Sequence, residues 1–429
     1  MFLARPFKLF FYIYDFLRNL WAKFQMRNHK SKNIYVFKLY KYEKVKVAKN
    51  GKIPLPRSGH RIVCDSTNLY SFGGYNPLII HNDDEGRDED AVNTHPLFQE
   101  LWKFNLATKK WKRFKGRQYL PQELASNAVI RAGNYLMVYS CVYGGTGSPF
   151  GARSSNQLYY CALNNEEGRM VEVDTTGQHP LPQYGQALVY HNKYLYTIGG
   201  TTGFTYSCDI HRLNITDRIW EVVYICTGQE DYEPLGRYRH EVAFDGENIF
   251  VLGGGTADDA FDFNEIPVFN IETKKWTKVG TKRDPQIPHE IGIPSARRCH
   301  GAVQIETSNG IHVFINGGYD GDMVFDDLWR LDLSSMQWTF IEKCILPKPT
   351  YFHSSAISPE GKMYVFGGIH AGDTMRRGNN IYTAWLSIPK LSEMCWEAVL
   401  YYNPQIGLYS QQQLINSGLP RKFLSRLDF

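Results

Sequence analysis

The chain has 429 residues, of which 43% are hydrophobic and 21% are charged. This balance excludes a chain that is disordered as a whole, because there is enough apolar surface for a sizeable core. Aromatic residues make up 14% of the sequence and glycine occurs 37 times, a mixture that favours many short strands joined by turns. The eight cysteines include no C-x-x-C pair and no zinc-type Cys/His pairing, which predicts a reducing compartment, the cytoplasm or the nucleus.

Residues 1–31 are predicted to form an N-terminal helix or arm that is both basic and apolar. The first 50 residues contain twelve Lys or Arg and only two acidic residues, whereas the whole chain has a net charge of +5. Charged residues interrupt the apolar ones, so no stretch of about 18 residues is suited to spanning a membrane. We expect an amphipathic helix that docks on the rest of the protein, with a helix lying at a membrane surface as the alternative. Nucleic acid is not an expected partner.

An apolar strand that ends in Gly-Gly recurs six times, at intervals of 50 to 71 residues. The pairs are residues 73–74, 144–145, 199–200, 253–254, 317–318 and 367–368. Most units continue with a loop, a second strand, a short turn and a strand that carries Trp111, Trp220, Trp276 or Trp338. In the second unit, Val171-Glu172-Val173 takes the place of the Trp strand. Each unit therefore predicts four short strands, with the diglycine bending the backbone where a side chain would clash and the Trp packing between adjoining sheets.

These motifs and their spacing resemble kelch repeats, which form β-propellers, over about residues 50–388. The expected fold is therefore all-β: a six-bladed kelch β-propeller over residues 32–388, followed by a short helical tail over residues 389–429. The sixth unit has no strand after residues 380–386, while residues 34–39 and 42–47 are strand-like and follow no Gly-Gly. We expect this early segment to supply the missing outer strand and so to close the ring.

The residues before each innermost strand can be aligned by their distance to the Gly-Gly pair. Arg57, Arg237 and Arg297 then occupy the same position in three units, near the expected axis of the propeller. Several guanidinium groups around one opening form a pocket for a carboxylate or phosphate. The predicted substrate-binding residues are Arg57, Ser58, Tyr184, Arg237, Tyr238, Arg239, Arg297, Arg298 and Tyr351. The alternative is that the arginines pair with acidic loops and hold the blades together.

Other polar features carry no enzyme or metal prediction. His60, His240 and His300 recur at one place in the repeat, which indicates a structural hydrogen bond rather than a metal site. The acidic segment 83–90 lacks the D-x-D-x-D-G spacing of a calcium loop, and we interpret it as a disordered insertion. There is no motif of a hydrolase, a metalloprotease or a phosphate-binding loop, so we expect neither catalysis nor a cofactor. A copper oxidase on a kelch propeller is an alternative for which no ligands can be assigned.

The tail begins with a helical pattern. Leu391, Cys395 and Val399 are spaced i, i+4, i+8 and would share one helix face. We expect Ser387 to cap this helix and Pro389 to lie in its first turn. The pattern resembles the BC box, which implies binding of Elongin C.

A second motif follows within the tail. Leu419, Pro420, Phe423 and Leu427 resemble the Cullin-2 box, with Pro420 suited to the first turn of a helix. The Cullin-5 version would need a proline at Lys422. The chain therefore resembles the kelch-domain substrate receptors of Cullin-2 ubiquitin ligases.

The resemblance implies a non-catalytic receptor with Elongin B, Elongin C and Cullin-2 as partners. It further implies that substrate proteins bind through C-terminal peptides, whose carboxylate the arginines hold, and that other subunits then ubiquitinate them for degradation. The alternative function is that of an actin-binding cytoskeletal scaffold.

Overall fold

The computed structural model describes residues 34–48, 51–78, 97–115, 120, 125–133, 135–139, 155–163, 167–288, 291–372 and 374–427. The predicted arm 1–31, the acidic segment 83–90 and the second diglycine pair 144–145 lie outside the described residues. The described residues are mostly strands, with few helices, and the strands pair antiparallel within their sheets except for one short parallel pair, residues 176–177 with residues 219–220. Within these ranges no helix is long and apolar enough to cross a membrane.

The first half of the described chain forms three sheets after a short strand, β1 (Glu43–Lys44). Sheet 1 contains β2 (Arg61–Cys64), β3 (Asn68–Phe72), β4 (Leu101–Asn105) and β5 (Trp111–Arg113). Sheet 2 contains β6 (Ala128–Ala132), β7 (Tyr135–Tyr139), β8 (Leu158–Ala162) and β9 (Met170–Val173). Sheet 3 contains β10 (Thr176–Gly177), β11 (Ala187–His191), β12 (Tyr194–Thr201), β13 (Tyr206–Asn214) and β14 (Ile219–Tyr224).

The second half repeats the arrangement. Sheet 4 contains β15 (Glu241–Phe244), β16 (Asn248–Leu252), β17 (Glu265–Asn270) and β18 (Lys275–Gly280). Sheet 5 contains β19 (Gly301–Thr307), β20 (Gly310–Asn316), β21 (Leu328–Asp332) and β22 (Gln337–Phe340). A small sheet contains β23 (Thr350–Tyr351), β26 (Ile369–His370) and β27 (Arg376–Arg377). Sheet 6 contains β24 (Ser354–Ile357), β25 (Lys362–Phe366), β28 (Ile381–Trp385) and, on its outer side, β1.

The predicted use of the early segment is confirmed by the pairing of β1. Glu43 lies opposite Thr383 and Lys44 opposite Tyr382 in an antiparallel pair with β28. Val45, at the end of β1, is buried between sheets 6 and 1. A segment about 340 residues away in sequence therefore completes the last sheet.

Buried apolar clusters lie between consecutive sheets, and the Trp strands contribute to them as predicted. Trp111 packs between sheets 1 and 6, Trp220 between sheets 3 and 2, Trp276 between sheets 4 and 3, and Trp338 between sheets 5 and 4. Strand β9 takes the position of the missing Trp strand in sheet 2. Because each sheet buries apolar side chains against its neighbours, consecutive sheets stabilise one another.

A ring of backbone hydrogen bonds links the segments that precede the innermost strand of each of the six sheets. Its six members all have positive φ angles and are Gly59, Ser126, Gly185, Arg239, Cys299 and Phe352. Each N–H donates to the carbonyl of the previous member at 2.7 to 3.3 Å, and the N–H of Gly59 donates to Phe352 at 3.0 Å, which returns the series to its start. We call these residues the hydrogen-bonded ring.

The five diglycine pairs among the described residues lie at the same end of the sheets as this ring, which we call the diglycine end. Gly253 and Gly254 have φ angles of 56° and 82°. A Cβ atom on Gly253 would lie 2.7 Å from the carbonyl oxygen of Arg297, and one on Gly254 would lie 2.9 Å from the backbone nitrogen of His240. The prediction that side chains would clash here is thus confirmed.

The tail contains three helices: α1 (Leu391–Tyr402), α2 (Gln411–Asn416) and α3 (Arg421–Leu424), with a 3₁₀ turn at Ile406–Leu408. Lys390 is the N-cap of α1 and makes no side-chain cap, so the predicted cap by Ser387 and the predicted position of Pro389 inside the helix are wrong. Pro420 is likewise the N-cap of α3 rather than a residue of its first turn. Gly418, with a φ of 88°, separates α2 from α3.

Candidate functional site

Arg57, Arg237 and Arg297 occupy equivalent positions, but their guanidinium groups are buried within their own sheets. Each donates through Nε to the carbonyl two residues earlier and through Nη1 to the first glycine of its sheet's diglycine pair, at 2.9 to 3.1 Å. Each also stacks on a phenylalanine ring, with Cζ 4.0 to 4.4 Å from the ring centroid. These arginines therefore link the diglycine pair to the segment that precedes the innermost strand of the same sheet.

Two of the three arginines also bind an acidic side chain. Arg57 Nη2 lies 2.7 Å from Glu100 Oε2, and Arg297 Nη2 lies 2.9 Å from Asp327 Oδ2. Burial pushes the pKa of Glu100 upward, but the charge and hydrogen bond of Arg57, the hydrogen bond from Trp102 and the charge of Arg113 together hold the pKa below its usual value. The alternative prediction for these arginines was that they pair with acidic loops and hold the blades together. The geometry fits the pairing with acidic residues, but each ion pair lies within one sheet rather than between two.

Arg239 differs from these three because it belongs to the hydrogen-bonded ring. Its guanidinium group donates to the hydroxyl of Ser126, another ring member, and lies over the ring of Phe352, a third member, with Cζ 4.8 Å from the centroid. The residue is only 6% exposed, and burial lowers its pKa. Within the described part of the chain its Nε has no hydrogen-bond partner and no carboxylate forms an ion pair with it. A buried cation in this state favours an anionic ligand.

The remaining predicted residues surround the ring. Ser58, Tyr184, Tyr238, Arg298 and Tyr351 each come immediately before a ring member, and we call this group of residues the mouth. Tyr238 and Tyr351 are half-buried and the other three are buried. The rings of Tyr184 and Tyr238 lie 6.1 Å apart, and Tyr351 stacks on Tyr319 at 5.1 Å. The mouth therefore has an aromatic wall on two sides.

Two cationic side chains lie at the mouth. Arg298 donates to the carbonyls of Ala257 and Asp259, both at 2.9 Å. Arg377 donates through Nε to the Ser58 hydroxyl at 2.9 Å and lies over the ring of Tyr75. Sequence reasoning missed Arg377 because it lies in β27, outside the aligned repeat.

Below the ring an ion pair joins two further strands. Arg61 Nη1, at the start of β2, lies 2.6 Å from Glu241 Oε1, at the start of β15. Sheets 1 and 4 are thus connected directly, three sheets apart in sequence. Both residues lie one position beyond the aligned segments, and nothing in the sequence paired them.

The recurring histidines behave largely as predicted. His60 Nε2 and His240 Nε2 each lie 3.1 Å from a carbonyl oxygen of the preceding sheet, Phe366 and Ile198 respectively. Burial lowers the pKa of His240 to about 3, so the ring is neutral at physiological pH. His300 makes no hydrogen bond to a described residue and instead lies edge-on to Phe263. No group of three or more His, Cys, Asp or Glu suited to a metal occurs among the described residues.

The tail packs against the other end of the sheets, where the short turns lie. Asn105 Nδ2 in sheet 1 donates to the carbonyl of Arg426 at 3.0 Å. Arg426 also pairs with Glu393 of α1 at 2.6 Å and with Glu360, in a turn of sheet 6, at 3.1 Å. Lys362 of sheet 6 pairs with Glu397 of α1 at 2.6 Å. The tail is therefore held against sheets 1 and 6, away from the mouth.

The three residues of the first tail motif do not share one environment. Leu391 is 47% exposed and Cys395 is half-buried, whereas Val399 is only 4% exposed. Val399 belongs to the apolar core of the tail, which also contains Trp396, Ile406 and Leu414 and includes Ala107 of sheet 1. The beginning of α1 therefore leaves an apolar surface open, and its end does not.

The apolar residues of the second motif point inward. Leu419, Phe423 and Leu427 are buried in the same tail core, while Pro420 is exposed. Phe423 also lies beneath two cations, with Lys422 Nζ 4.6 Å and Arg426 Cζ 5.1 Å from its ring centroid. These apolar side chains shape the tail rather than forming its surface.

Comparison with known proteins adds family information to this geometry. The profile of the KLHDC2/KLHL20/DRC7 Kelch-repeats domain matches residues 141–291 and 240–405. The chain is 44% identical over 393 residues to the kelch domain-containing protein 10 homolog of Drosophila melanogaster, covering 88% of this chain and 62% of that protein. It is 41% identical to kelch domain-containing protein 10 of Xenopus laevis, covering 87% and 86%, and 40% identical to that of Homo sapiens, covering 87% and 80%.

Proposed function

The chain belongs to the kelch-repeat family that includes kelch domain-containing protein 10, and from this membership we propose that it is the substrate receptor of a Cullin-2 ubiquitin ligase. Kelch membership favours a role in binding other proteins. In the proposed role the mouth captures cargo and the tail binds Elongin C, Elongin B and Cullin-2. Other subunits carry out ubiquitin transfer, so the chain needs no catalytic group or cofactor. The proposed location is the cytoplasm or the nucleus.

We propose that the six sheets are the blades of a closed propeller. The proposal is supported by the hydrogen-bonded ring, whose last member bonds to its first. It is also supported by the apolar cluster between sheets 6 and 1, which matches the clusters between the other consecutive sheets. Such closure leaves no sheet face without a neighbour.

The observation that carries the cargo proposal is the buried Arg239, which has no carboxylate partner among the described residues. A charge-assisted hydrogen bond to an anion stabilises a complex by about 1.5–3 kcal/mol. We expect a value near the upper end for Arg239, because its guanidinium group is already buried and loses little further hydration on binding. We propose that the anion is the C-terminal carboxylate of a cargo protein. Arg298 and Ser58 of the mouth, and Arg377 beside Ser58, are proposed to add further donors.

This assignment changes the roles within the predicted set. Arg57, Arg237 and Arg297 are proposed to support the site, because their guanidinium groups turn into their own sheets, onto a diglycine carbonyl and a phenylalanine ring. Arg239 and Arg298 are proposed to contact the anion, and Tyr184, Tyr238 and Tyr351 to contact the apolar part of the peptide. The proposed site is therefore built from the residues at and before the hydrogen-bonded ring.

The proposed ligase surface begins at the exposed face of α1. Leu391 and Cys395 offer Elongin C an apolar contact, and the family resemblance of this motif is the reason for naming that partner. Val399, Leu419, Phe423 and Leu427 are proposed to act indirectly, by holding α1 and α3 in position. Cullin-2 would then meet exposed residues such as Pro420.

The cargo proposal is tested with two pools of random nine-residue peptides, one with free and one with amidated C-termini. The wild-type protein should retain the free pool preferentially. Arg239→Gln should reduce that retention roughly ten- to a hundredfold, which corresponds to the loss of one charge-assisted bond. Arg218→Gln, which removes an exposed arginine at the turn end of sheet 3, is the charge-matched control and should retain peptides normally.

Equal retention of the two pools would contradict the carboxylate anchor. Co-sedimentation with actin that survives removal of residues 389–429 would instead favour the scaffold alternative.

A further inference from the structure

A cleft of about 420 Å³ lies at the diglycine end of sheet 3. Residues on β13 form one wall, and the segments around Leu181 and Ile225 form its rim. Leu181 and Ile225 are both exposed apolar residues. The cleft therefore has an apolar entrance that faces solvent.

The inner wall of this cleft is polar. Ser207, Asp209 and His211 alternate along β13 and all line the cleft. His211 is only 7% exposed, yet its Nδ1 atom has no hydrogen-bond partner in the described part of the chain, and the same is true of the Ser207 hydroxyl. An unsatisfied buried polar group costs about 1–3 kcal/mol. A ligand that carries N–H donors would remove this cost.

The charge on the wall favours a cation. Burial, with a smaller contribution from the negative charge of Glu233, raises the pKa of Asp209, and a positive group beside the carboxylate would offset that effect. Burial also lowers the pKa of His211 to about 4, so the ring is neutral at pH 7 and does not repel a cation. In the tautomer with the proton on Nε2, Nδ1 is an acceptor.

The cleft lies next to the mouth. Tyr206 lines the cleft, and its ring lies 5.5 Å from the ring of Tyr238, which is part of the mouth. Gln183 and Thr202 line the cleft as well, and Tyr184 and Thr201, their neighbours in sequence, are bridged to each other. An extended peptide advances about 3.3 Å per residue, so a few peptide residues would reach from the mouth to the cleft.

We propose that this cleft is a second cargo subsite that takes a lysine or arginine side chain, upstream of the C-terminal carboxylate. The methylene groups of that side chain contact Leu181 and Ile225, and its N–H groups donate to Asp209, His211 and Ser207. The inference rests on the proposed function, since it takes the cargo to be a peptide bound at the mouth. It adds a requirement for a basic residue at a fixed distance from the carboxylate.

The experiment sequences the peptides retained from a random nine-residue pool with free C-termini, and from the same pool amidated. The wild-type protein should enrich Lys or Arg at least fivefold at one position before the C-terminus. Asp209→Asn keeps an oxygen for the bond from the Cys226 backbone nitrogen, 2.9 Å away, and should abolish the enrichment at that position alone. Glu272→Gln, which removes an exposed carboxylate from a turn of sheet 4, is the control and should leave the enrichment intact.

The outcomes separate the two claims. If the protein prefers free C-termini but enriches no Lys or Arg at any position, the proposed subsite is wrong and the proposed binding of the C-terminal carboxylate is still supported. A basic position that disappears in Asp209→Asn but is found equally in amidated peptides supports the subsite and overturns the anchor. A basic position that persists in Asp209→Asn, or no retained peptide from either pool, overturns the subsite.

Discussion

The rings of Trp396 and Phe423 are stacked, with their centroids 4.9 Å apart and their planes at 13°. Trp396 lies in the helix that carries Leu391 and Cys395, and Phe423 lies in the last helix of the chain. The two tail motifs are therefore packed against each other as one unit. That unit buries the apolar residues of the second motif and leaves Leu391 exposed. Substitutions of the buried residues should therefore affect folding of the tail, whereas substitution of Leu391 should affect partner binding.

Replacement of Phe423 by alanine should unfold the tail without unfolding the sheets. Removal of a buried aromatic ring typically costs about 3–5 kcal/mol, and here it also removes the stacking on Trp396. Hydrogen exchange of residues 391–427 should accelerate, while that of β16 and β20 stays unchanged. Arg421→Ala, an exposed position of the same helix, is the control. Unchanged protection of α1 in Phe423→Ala would show that the tail core does not depend on this ring.

Replacement of Arg57 by methionine should destabilise sheet 1 strongly. Glu100 would remain buried without its nearest cation, keeping only the bond from Trp102 and the longer ion pair with Arg113. Removing one member of a buried ion pair typically costs about 3–5 kcal/mol. The double variant Arg57→Met with Glu100→Gln should recover part of this loss in thermal unfolding. If the single variant unfolds at the wild-type temperature, the supporting role of Arg57 is wrong.

Tyr42 tests the contribution of the early segment to closure. Its ring is buried between sheets 5 and 6, just before β1, so Tyr42→Ala should destabilise the protein by about 3–5 kcal/mol. Tyr190→Ala, at an exposed tyrosine of sheet 3, is the matched control and should change stability by less than about 1 kcal/mol. Equal effects of the two variants in chemical unfolding would argue against a closing role for this segment.

Lys109 gives the tail interface a pH dependence in the alkaline range. Burial, and then the positive charge of Lys362, lower its pKa from 10.5 to about 8. The unfolded chain therefore binds more protons than the folded one between those two pH values, and stability should rise with pH across this window. Lys109→Met should be the more stable protein at pH 7, by at most about 3 kcal/mol.

The corresponding measurement is thermal unfolding at pH 7.5 and pH 10. The difference between wild type and Lys109→Met should shrink at the higher pH, whereas Lys110→Met, at the exposed neighbouring lysine, should show no such change. A constant difference between wild type and Lys109→Met would mean that Lys109 titrates normally.

The repeat architecture was accessible from the sequence because each unit contains the same local constraints. Diglycine pairs mark the bends, and the tryptophans mark the strands that pack on a neighbouring sheet. The pairing of β1 with β28 was predicted by counting strands. The sixth repeat lacked its outer strand, and the early segment contained a strand-like stretch that belonged to no repeat.

The roles of the arginines were less accessible, because position in the repeat does not say which way a side chain turns. Arg57 and Arg297 turn into their own sheets, towards a phenylalanine and an acid that recur as Phe98-x-Glu100 and Phe325-x-Asp327. That recurrence was a usable signal for the structural role. Nothing local distinguished Arg239, whose environment is set by Ser126 and Phe352 from distant units.

The i, i+4, i+8 spacing of the first tail motif correctly predicted that its three residues lie in one helix. It did not predict which of the three side chains are exposed to solvent. Val399 is covered by the core of the tail, whereas Leu391 at the start of the same helix lies outside that core. The difference arises from tertiary packing with α2 and α3, which no periodicity encodes.

The most direct measurement is quantitative affinity purification of the wild-type protein and of Leu391→Ala with Cys395→Ala. Leu235→Ala, at an exposed leucine of the segment between sheets 3 and 4, is the matched control. We predict that Elongin B, Elongin C and Cullin-2 are recovered with the wild type and with the control and are lost together from the double variant, while its thermal unfolding is unchanged. Recovery of the three partners with a folded double variant would contradict the account.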